Sequence, residues 1–339
     1  MSGPMTAERK IAPIDEANVW TAAELPGRDG WAHTLTPEMI AEVEAATRNA
    51  IEAGLAVEKI TREAFPLEKT APMLARAYDD IENGRGFAVV AGWPVDDHDY
   101  RDNVTAYAGI ATHFGDIVVQ NYEGHWIVDV RDEGIAYSHL SRGYRSNKTL
   151  PFHTDGADLA GLLSLGVAAE GGESLLVSAT KVFNLILAER PDLIEDLERG
   201  FYHHRRRQHD PGENPISAER IPVFAHHGGH WHCCYNRNPI EWVEKEGVTL
   251  TAREKEALDV FDAVVARPEL QVSMEMRKGD MQFVNNFVIL HSRTEFHDDA
   301  ANSRHLVRLW LEDPKSKRIG EGLLDLYVPG TSRYRRKAG

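Results

Sequence analysis

Cysteine is almost absent from this chain of 339 residues, which has two, Cys233 and Cys234, side by side. Neighbouring cysteines rarely bridge each other, so the sequence excludes a disulfide framework and favours a reducing compartment, which we expect to be the cytoplasm. Long apolar runs are also lacking, since no stretch approaches the roughly 20 residues that a membrane helix needs. The first residues have no apolar segment typical of a signal peptide, and we expect no membrane association.

Basic charge is in short supply as well. The chain has 38 Lys and Arg residues against 53 Asp and Glu residues, which gives a formal net charge of −15 at pH 7. Because nucleic acids bind to basic surfaces, we do not expect a nucleic-acid partner. A small anionic substrate is still compatible with this composition if arginines are concentrated in one pocket.

The pattern of apolar residues changes along the chain. Helical spacing predicts helices in TPEMIAEVEAATRNAIEAGLA and KTAPMLARAYDDIENGRG, and further helices in YRDNVTAYAGIATHFGD, TKVFNLILAERPDLIEDLERG and TAREKEALDVFDAVVARP. From about residue 117, short strand-like segments such as LLSLGV, SLLVSA, MQFVNN and HLVRLWL recur between turn residues. This pattern of short strands and turns predicts an antiparallel barrel or jelly roll with helices around it.

A histidine and an aspartate stand two residues apart in LPFHTDGADLAG, just before an apolar run. On a strand, His153 and Asp155 point to the same face. Ionisable side chains beside apolar residues need a partner. One imidazole and one carboxylate are two thirds of the facial triad that binds non-haem Fe(II) and leaves coordination positions open. His291, which follows an apolar strand-like run in QFVNNFVILHSRTEF, is the candidate third ligand.

Two other groups of residues have the composition of metal ligands. His297 and Asp299 repeat the same spacing in FHDDAAN, but this polar stretch is typical of a solvated turn. His230, His232 and Cys234 alternate in HHGGHWHCCYNR, so one strand face could bind zinc or copper. Structural zinc usually draws on two separated ligand pairs, and a hairpin with a Gly-Gly turn is the simpler interpretation. The role of this cluster stays open.

Four segments, LPFHTD, GGESLLVSA, FVNNFVILHSRT and SRHLVRLWLED, resemble the taurine dioxygenase-like (TauD/TfdA) family of Fe(II)/2-oxoglutarate-dependent oxygenases in order and spacing. The resemblance spans about residues 150–313 and is weaker back to GRGFAVVAGW. It implies a mainly β fold with helices, whose core is a double-stranded β-helix of the cupin-like jelly-roll type. We expect a helical N-terminal layer over residues 1–85, packed on an oxygenase domain over residues 86–339 as a single structural unit. His153, Asp155 and His291 would ligate the iron.

The same resemblance assigns roles to three further residues. Arg308 would hold the distal carboxylate of 2-oxoglutarate, and Arg304 stands where the family often has another active-site arginine. Ser174 takes the place of a threonine whose hydroxyl helps to hold 2-oxoglutarate. Independently, a dianionic cosubstrate needs a counter-charge, and arginine binds a carboxylate through two parallel hydrogen bonds. Because Arg304, Leu306 and Arg308 alternate on a strand, both guanidinium groups can face one cavity.

The implied function is hydroxylation or desaturation of an unactivated C–H bond in a small polar metabolite, using O2 and releasing succinate and CO2. Related halogenases have a small residue at the position of Asp155, so a carboxylate there argues for an oxygenase. The segments that we expect to line the substrate site contain Asn121, Tyr122, Tyr144, Asn147, Tyr235 and Arg237. A homo-oligomer is possible, although nothing in the sequence requires one.

Three alternatives remain at this point. A γ-butyrobetaine-hydroxylase-like activity on a quaternary ammonium compound would need an aromatic cage. That resemblance also implies a cysteine-rich zinc module at the N-terminus, and this chain lacks the cysteines for one. A non-catalytic binding protein on the same fold would be expected to have lost a ligand. A Zn(II) hydrolase could use the same three ligands to activate water, but it has no need of a dicarboxylate anchor at Arg308 and Ser174.

Overall fold

The computed structural model describes residues 11–227 and 229–318. Its α-helices are α1 (Arg28–Trp31), α2 (Pro37–Glu52), α3 (Ala71–Glu82), α4 (Tyr100–Ala111), α5 (Ala179–Glu189), α6 (Ile194–Arg199), α7 (Arg237–Glu241) and α8 (Ala252–Val265). Its strands are β1 (Ala32–Thr34), β2 (Phe87–Ala91), β3 (Asp116–Val118), β4 (Val128–Val130), β5 (Leu150–His153), β6 (Leu159–Gly166), β7 (Glu170–Gly171), β8 (Ser174–Ser178), β9 (Phe224–His227), β10 (His230–Cys233), β11 (Val272–Met274), β12 (Met281–Asn285), β13 (Ile289–Arg293), β14 (Phe296–His297) and β15 (His305–Glu312). None of the helices in these ranges combines the length and the apolar character of a membrane span.

Two sheets form the centre of the molecule. The larger sheet has the strand order β1-β2-β12-β6-β15-β3, with β4 also paired to β15, and the smaller sheet has the order β11-β8-β13-β5. The β1–β2 pair is parallel, whereas the other strand pairs of these two sheets are antiparallel. One buried cluster contains side chains from both sheets, including Val284, Trp310, Leu176, Met274 and Ile289. This packing of sheet on sheet confirms the predicted double-stranded β-helix core.

Helices near the N-terminus cover the larger sheet. Helix α2 begins where the Thr36 side chain accepts a hydrogen bond from the Met39 backbone amide, with proline at the first helical position. Its buried residue Val43 joins side chains of α3, α4 and the larger sheet in one apolar cluster. The helices predicted in the first 111 residues are therefore present, and they share their core with the sheet.

A second group of helices packs on the smaller sheet. Phe183 of α5, Phe261 of α8 and Leu290 of β13 belong to one buried cluster. The sequence predicted a single helical stretch from Thr180 to Gly200, but the structure divides it into α5 and α6. Pro191 explains the break, because proline cannot donate the helical hydrogen bond and disfavours helical backbone at the residue before it.

The turn before β12 provides a test of the fold. Gly279 has a φ of +82°, and a Cβ atom there would lie 1.9 Å from the backbone oxygen of Trp93. We expect Gly279→Ala to lower the free energy of unfolding by more than about 2 kcal/mol, since left-handed backbone alone costs roughly 1–2 kcal/mol and the clash adds to it. Urea-induced unfolding of both proteins measures the difference.

Gly124→Ala is the matched control, because Gly124 has a φ of +84° but no heavy atom within 4 Å of the position that a methyl group would take. This variant bears the backbone cost without the clash. Equal stabilities of the two variants would contradict the close approach at Gly279.

Candidate active site

The pairing of β5 with β13 brings three ionisable side chains together. His291 stands opposite His153 in this antiparallel pair, and the centroids of their rings are 4.5 Å apart. Asp155 follows the end of β5, and its Oδ2 lies 3.9 Å from His291 Nε2. One potential ligand atom from each side chain lies within 4.8 Å of the others. The convergence expected from the sequence is therefore present.

Local hydrogen bonds fix the segment that contains the first two residues. The backbone amide of Asp155 donates to Asn286 Oδ1 at 3.1 Å, and Asn286 Nδ2 donates to the Ala157 carbonyl at 2.9 Å. His153 Nδ1 lies 2.8 Å from the Pro151 carbonyl oxygen. A carbonyl can only accept, so this contact fixes the tautomer in which Nδ1 carries the proton and Nε2 is free to bind a metal.

The carboxylate of Asp155 is buried among donors. Trp310 Nε1 donates to Oδ2 at 2.9 Å, and Arg308 Nη1 lies 3.3 Å from the same oxygen. Burial opposes ionisation, but the charge of Arg308 and smaller contributions from His291 and His153 hold the pKa of Asp155 well below its ordinary value. Burial lowers the pKa of His153, and it lowers the pKa of His291 to about 3. At neutral pH the cluster thus offers two neutral imidazoles and one carboxylate, which is the protonation state that metal binding requires.

The donor set fits Fe(II). Two imidazole nitrogens and one carboxylate oxygen match the facial triad, which leaves coordination positions for other ligands. Within residues 11–227 and 229–318, this is the group of histidine, cysteine and acidic side chains that is arranged to hold a metal ion. A closed structural zinc site would need a fourth protein ligand.

The segment with the other candidate metal ligands, around His230 and His232, forms a hairpin. Strands β9 and β10 pair antiparallel, with His230 opposite His227, as the simpler interpretation of the sequence predicted. The ring centroids of His232 and Phe287 are 5.2 Å apart, and Cys233 is buried in the apolar cluster of the smaller sheet. Asp299 accepts hydrogen bonds from backbone amides two and three residues further on and so lies in the predicted turn, whereas His297 lies at the end of β14.

Two cavities meet at the triad. The inter-sheet cavity, of about 610 Å³, is lined mostly by strand residues and includes Ser174, Gln282, Arg293, Arg304 and Arg308. The loop cavity, of about 430 Å³, is lined by Tyr137, Arg142, Arg206, Asn236 and again Arg308. His153, Asp155 and Tyr144 border both cavities.

The two arginines predicted from the sequence occupy different parts of the inter-sheet cavity. Arg308 lies against Asp155, and its Nε donates to Gln120 Oε1 at 2.8 Å. Arg304 is buried, and no hydrogen-bond partner of its Nη1 occurs in the described part of the chain. Burial, with a further contribution from the nearby charge of Arg293, lowers the pKa of Arg304 to about 9. A buried guanidinium with an unused donor is a site for an anion.

Arg293 is a cavity residue that the sequence analysis missed. Its Nη2 donates to the carbonyl of Ser146 at 2.7 Å and also to that of Lys148, so it anchors the loop before β5. Burial lowers the pKa of Arg293 to about 10. The signal was available, because Arg293 follows His291 by two residues on β13 and therefore points to the same face.

Four of the expected substrate residues lie in the segments between β3 and β5. Tyr144 borders both cavities, as expected. The other three have partners elsewhere and do not line either cavity. Asn121 pairs with His125, the exposed Tyr122 donates its hydroxyl to Asp210, and Asn147 donates to the Phe296 carbonyl.

The remaining two expected substrate residues also lie outside both cavities. Tyr235 is fully buried, its ring centroid lies 4.0 Å from that of Phe261 with the rings tilted, and its hydroxyl donates to Asp262. Arg237 also pairs with Asp262, at 2.9 Å, within a larger group of ion pairs. Their neighbour Asn236 lines the loop cavity instead, because adjacent residues point in different directions.

Known proteins resemble this chain over most of its length. The family model described as taurine catabolism dioxygenase TauD, TfdA family matches residues 52–310. FR-33289 synthase from Streptomyces rubellomurinus is 34% identical over 307 residues, which cover 88% of this chain and 90% of that protein. The taurine hydroxylase-like protein SAT17 from Stachybotrys chartarum is 30% identical over 335 residues, or 94% of this chain and 84% of that protein.

The fold is also that of a solved oxygenase. An asparagine oxygenase in complex with Fe(II), 2S,3S-3-hydroxyasparagine and succinate superimposes with a TM-score of 0.65 over 84% of this chain and 94% of that chain, at 18% identity. The family match favours an oxygenase over the zinc hydrolase and the non-catalytic binding protein, and the comparisons do not favour the quaternary-ammonium hydroxylase. The chain belongs to the TauD/TfdA family, and it is an oxygenase that depends on Fe(II) and 2-oxoglutarate.

Proposed function

We propose that this oxygenase hydroxylates an unactivated C–H bond of a small polar molecule and that His153, Asp155 and His291 hold its Fe(II). The convergence of these three side chains on one point is the observation that carries the proposal. When bound, iron and 2-oxoglutarate supply the oxidising chemistry, with consumption of O2 and release of succinate and CO2. The protein binds and orients the reactants and keeps the ligand side chains in the required protonation state.

The inter-sheet cavity suits 2-oxoglutarate. This cosubstrate has carboxylates at opposite ends, so the group that holds the distal one must lie away from the metal ligands. We assign this role to Arg304, because its guanidinium lies over the ring of Phe296 rather than against Asp155, and Ser174 lines the same cavity. A Cβ atom on Gly172 would come within 3.0 Å of the Arg304 side chain, so the glycine makes room for it beside Ser174.

Arg308 has a different role in this proposal from the one that the sequence indicated. Its guanidinium lies against a metal-ligand carboxylate, and this position does not suit a distal anchor. Together with Trp310, it fixes the plane of the Asp155 carboxylate and stabilises its ionised form. We therefore propose Arg304 as the distal anchor and Arg308 as a positioning residue for Asp155.

The proposal includes a cellular compartment and an oligomeric state for this protein. Both cysteines are free thiols in the structure, which supports a reducing compartment such as the cytoplasm. A homo-oligomer remains part of the proposal on the basis of the family resemblance alone.

The two arginines can be distinguished by cosubstrate binding. Under anaerobic conditions, Fe(II) and 2-oxoglutarate together are expected to give a visible charge-transfer band. Arg304→Gln should raise the 2-oxoglutarate concentration at half-maximal band intensity by roughly 10- to 100-fold, because a charge-assisted pair contributes about 1.5–3 kcal/mol. Arg308→Gln should change this concentration less. The reverse order would support the distal role that the sequence indicated, and no band in the wild type would contradict the iron site.

A second prediction follows from the hydrogen bond that Trp310 donates to Asp155. Trp310→Phe keeps an aromatic ring but removes the indole N–H, so the carboxylate loses one of the donors that orient it. We expect Fe(II) affinity, measured by anaerobic titration, to fall by about 10- to 100-fold. Trp93→Phe is the control, since Trp93 Nε1 donates to buried Asn103 at 2.7 Å in a different part of the core. Equal loss of Fe(II) affinity in both variants would show an effect of stability rather than of ligand orientation.

A further inference from the structure

We propose that the loop cavity binds a doubly charged oxyanion group of the primary substrate through Arg142 and Arg206. We also propose that Gln120 is the positioning residue that holds Arg142 and Arg308 in place. This inference rests on the proposed function, because it names the substrate class of the same site.

The charge of the loop cavity is opposite to that of the protein. Three arginines, Arg142, Arg206 and Arg308, line it together with a single carboxylate, Asp155. That carboxylate is committed to the metal. A divalent cation and a dianionic cosubstrate add no net charge when both bind, so the cavity stays positive. In a chain with a net charge of −15, such a local concentration of guanidinium groups indicates an anionic ligand.

The backbone around Arg206 is unusual. Arg206 and Arg207 have φ values of +52° and +61°, and they are the non-glycine residues with positive φ in the described ranges. Side chains of L-amino acids rarely adopt this conformation, so the surrounding structure must impose it. The amide of Arg206 donates to His204 Nδ1 at 3.0 Å, and its side chain is 6% exposed. The strained turn thus directs one long basic side chain into the cavity.

Arg142 reaches the same cavity from another loop. Its guanidinium carbon lies 5.3 Å from the centre of the Trp310 ring and 5.8 Å from that of Tyr144. Its Nη1 donates to the backbone oxygen of Gln120 at 2.9 Å. The aromatic faces and this hydrogen bond orient the group before any substrate binds.

Gln120 connects Arg142 to Arg308, the arginine that lies beside the proposed iron ligand Asp155. It is fully buried, and its Oε1 accepts from Arg308 Nε while its Nε2 donates to the Arg308 carbonyl, both at 2.8 Å. The backbone oxygen of the same residue holds Arg142. One residue therefore sets the spacing between an arginine of the loop cavity and the arginine that contacts Asp155. An oxyanion held between Arg142 and Arg206 would lie at a fixed distance from the triad.

Binding of simple anions to the anaerobic holoenzyme tests this site. Isothermal titration calorimetry with sulfate and acetate, in the presence of Fe(II) and 2-oxoglutarate, compares a doubly and a singly charged oxyanion. We expect sulfate to bind more tightly than acetate. Arg142→Gln and Arg206→Gln should each weaken sulfate binding at least about tenfold, because each removes a charged hydrogen-bond donor. Gln120→Leu should weaken it as well, while an Arg142→Lys change should preserve part of it.

Two neighbouring arginines provide matched controls. Arg207 is exposed but shares the left-handed backbone of Arg206, and Arg145 pairs with Glu133 outside the cavity lining. Arg207→Gln and Arg145→Gln should leave sulfate affinity within about twofold of the wild type, since solvated charges contribute little. If Arg206→Gln does not fold, Arg206→Lys replaces it and should retain measurable sulfate binding.

The outcomes separate this inference from the proposed function. Sulfate affinity that is unchanged in Arg142→Gln and Arg206→Gln, or no tighter than acetate affinity in the wild type, would overturn the oxyanion site. In either case the charge-transfer band with 2-oxoglutarate would remain. Loss of that band in the wild type with intact, arginine-dependent sulfate binding would instead overturn the proposed iron and cosubstrate site and support the anion site.

Discussion

The antiparallel pairing of β5 with β13 is the constraint on which the active site depends. It places His291 opposite His153, although the two are far apart in sequence, and the segment after β5 then carries Asp155 beside them. Asp155 is thereby buried, and His153 and His291 are half-buried, at the edge of the smaller sheet. Such a cluster is stable without an ion only if its charge is compensated, and Arg308 from the larger sheet supplies the compensation. The site therefore joins the two sheets as well as two strands.

This arrangement divides the site between rigid and irregular parts of the fold. The residues proposed to hold 2-oxoglutarate come from or next to strands, Ser174 at the start of β8 and Arg304 just before β15. The residues proposed to bind the substrate anion, Arg142 and Arg206, come from loops. A scaffold that fixes the cosubstrate while loops contact the substrate allows one reaction to be combined with different substrates. Gln120 connects the two parts, because it contacts both Arg142 and Arg308.

The sequence predicted the elements and the convergence of His153, Asp155 and His291, because both depend on local signals. Periodicity and caps such as Thr36 define helices, and a His-x-Asp pair before an apolar run needs a partner that burial must supply. How deep a side chain lies in a cavity, by contrast, is not determined by the local sequence. Alternation on β15 shows that Arg304 and Arg308 can face one cavity, but it does not show which of them lies nearer to the metal. The left-handed backbone at Arg206 is imposed by tertiary contacts, so nothing in RRRQHD indicates it. Tyr235 was expected in the substrate site, but its ring packs in the core and its hydroxyl donates a hydrogen bond to Asp262.

The net charge of the chain was a poor guide to the charge of the site for a physical reason. Surface carboxylates are solvated and screened over about 10 Å, whereas a buried guanidinium acts on its neighbours through a medium of low dielectric constant. Before a metal binds, Arg308 is the cation that faces Asp155. A divalent cation held by the proposed ligands would take over that interaction, and the positive charge of Arg308 would then act on the rest of the cavity. Metal binding should thus increase the attraction of the loop cavity for an anion, and the arginines that line it can hold a substrate that an acidic surface would repel.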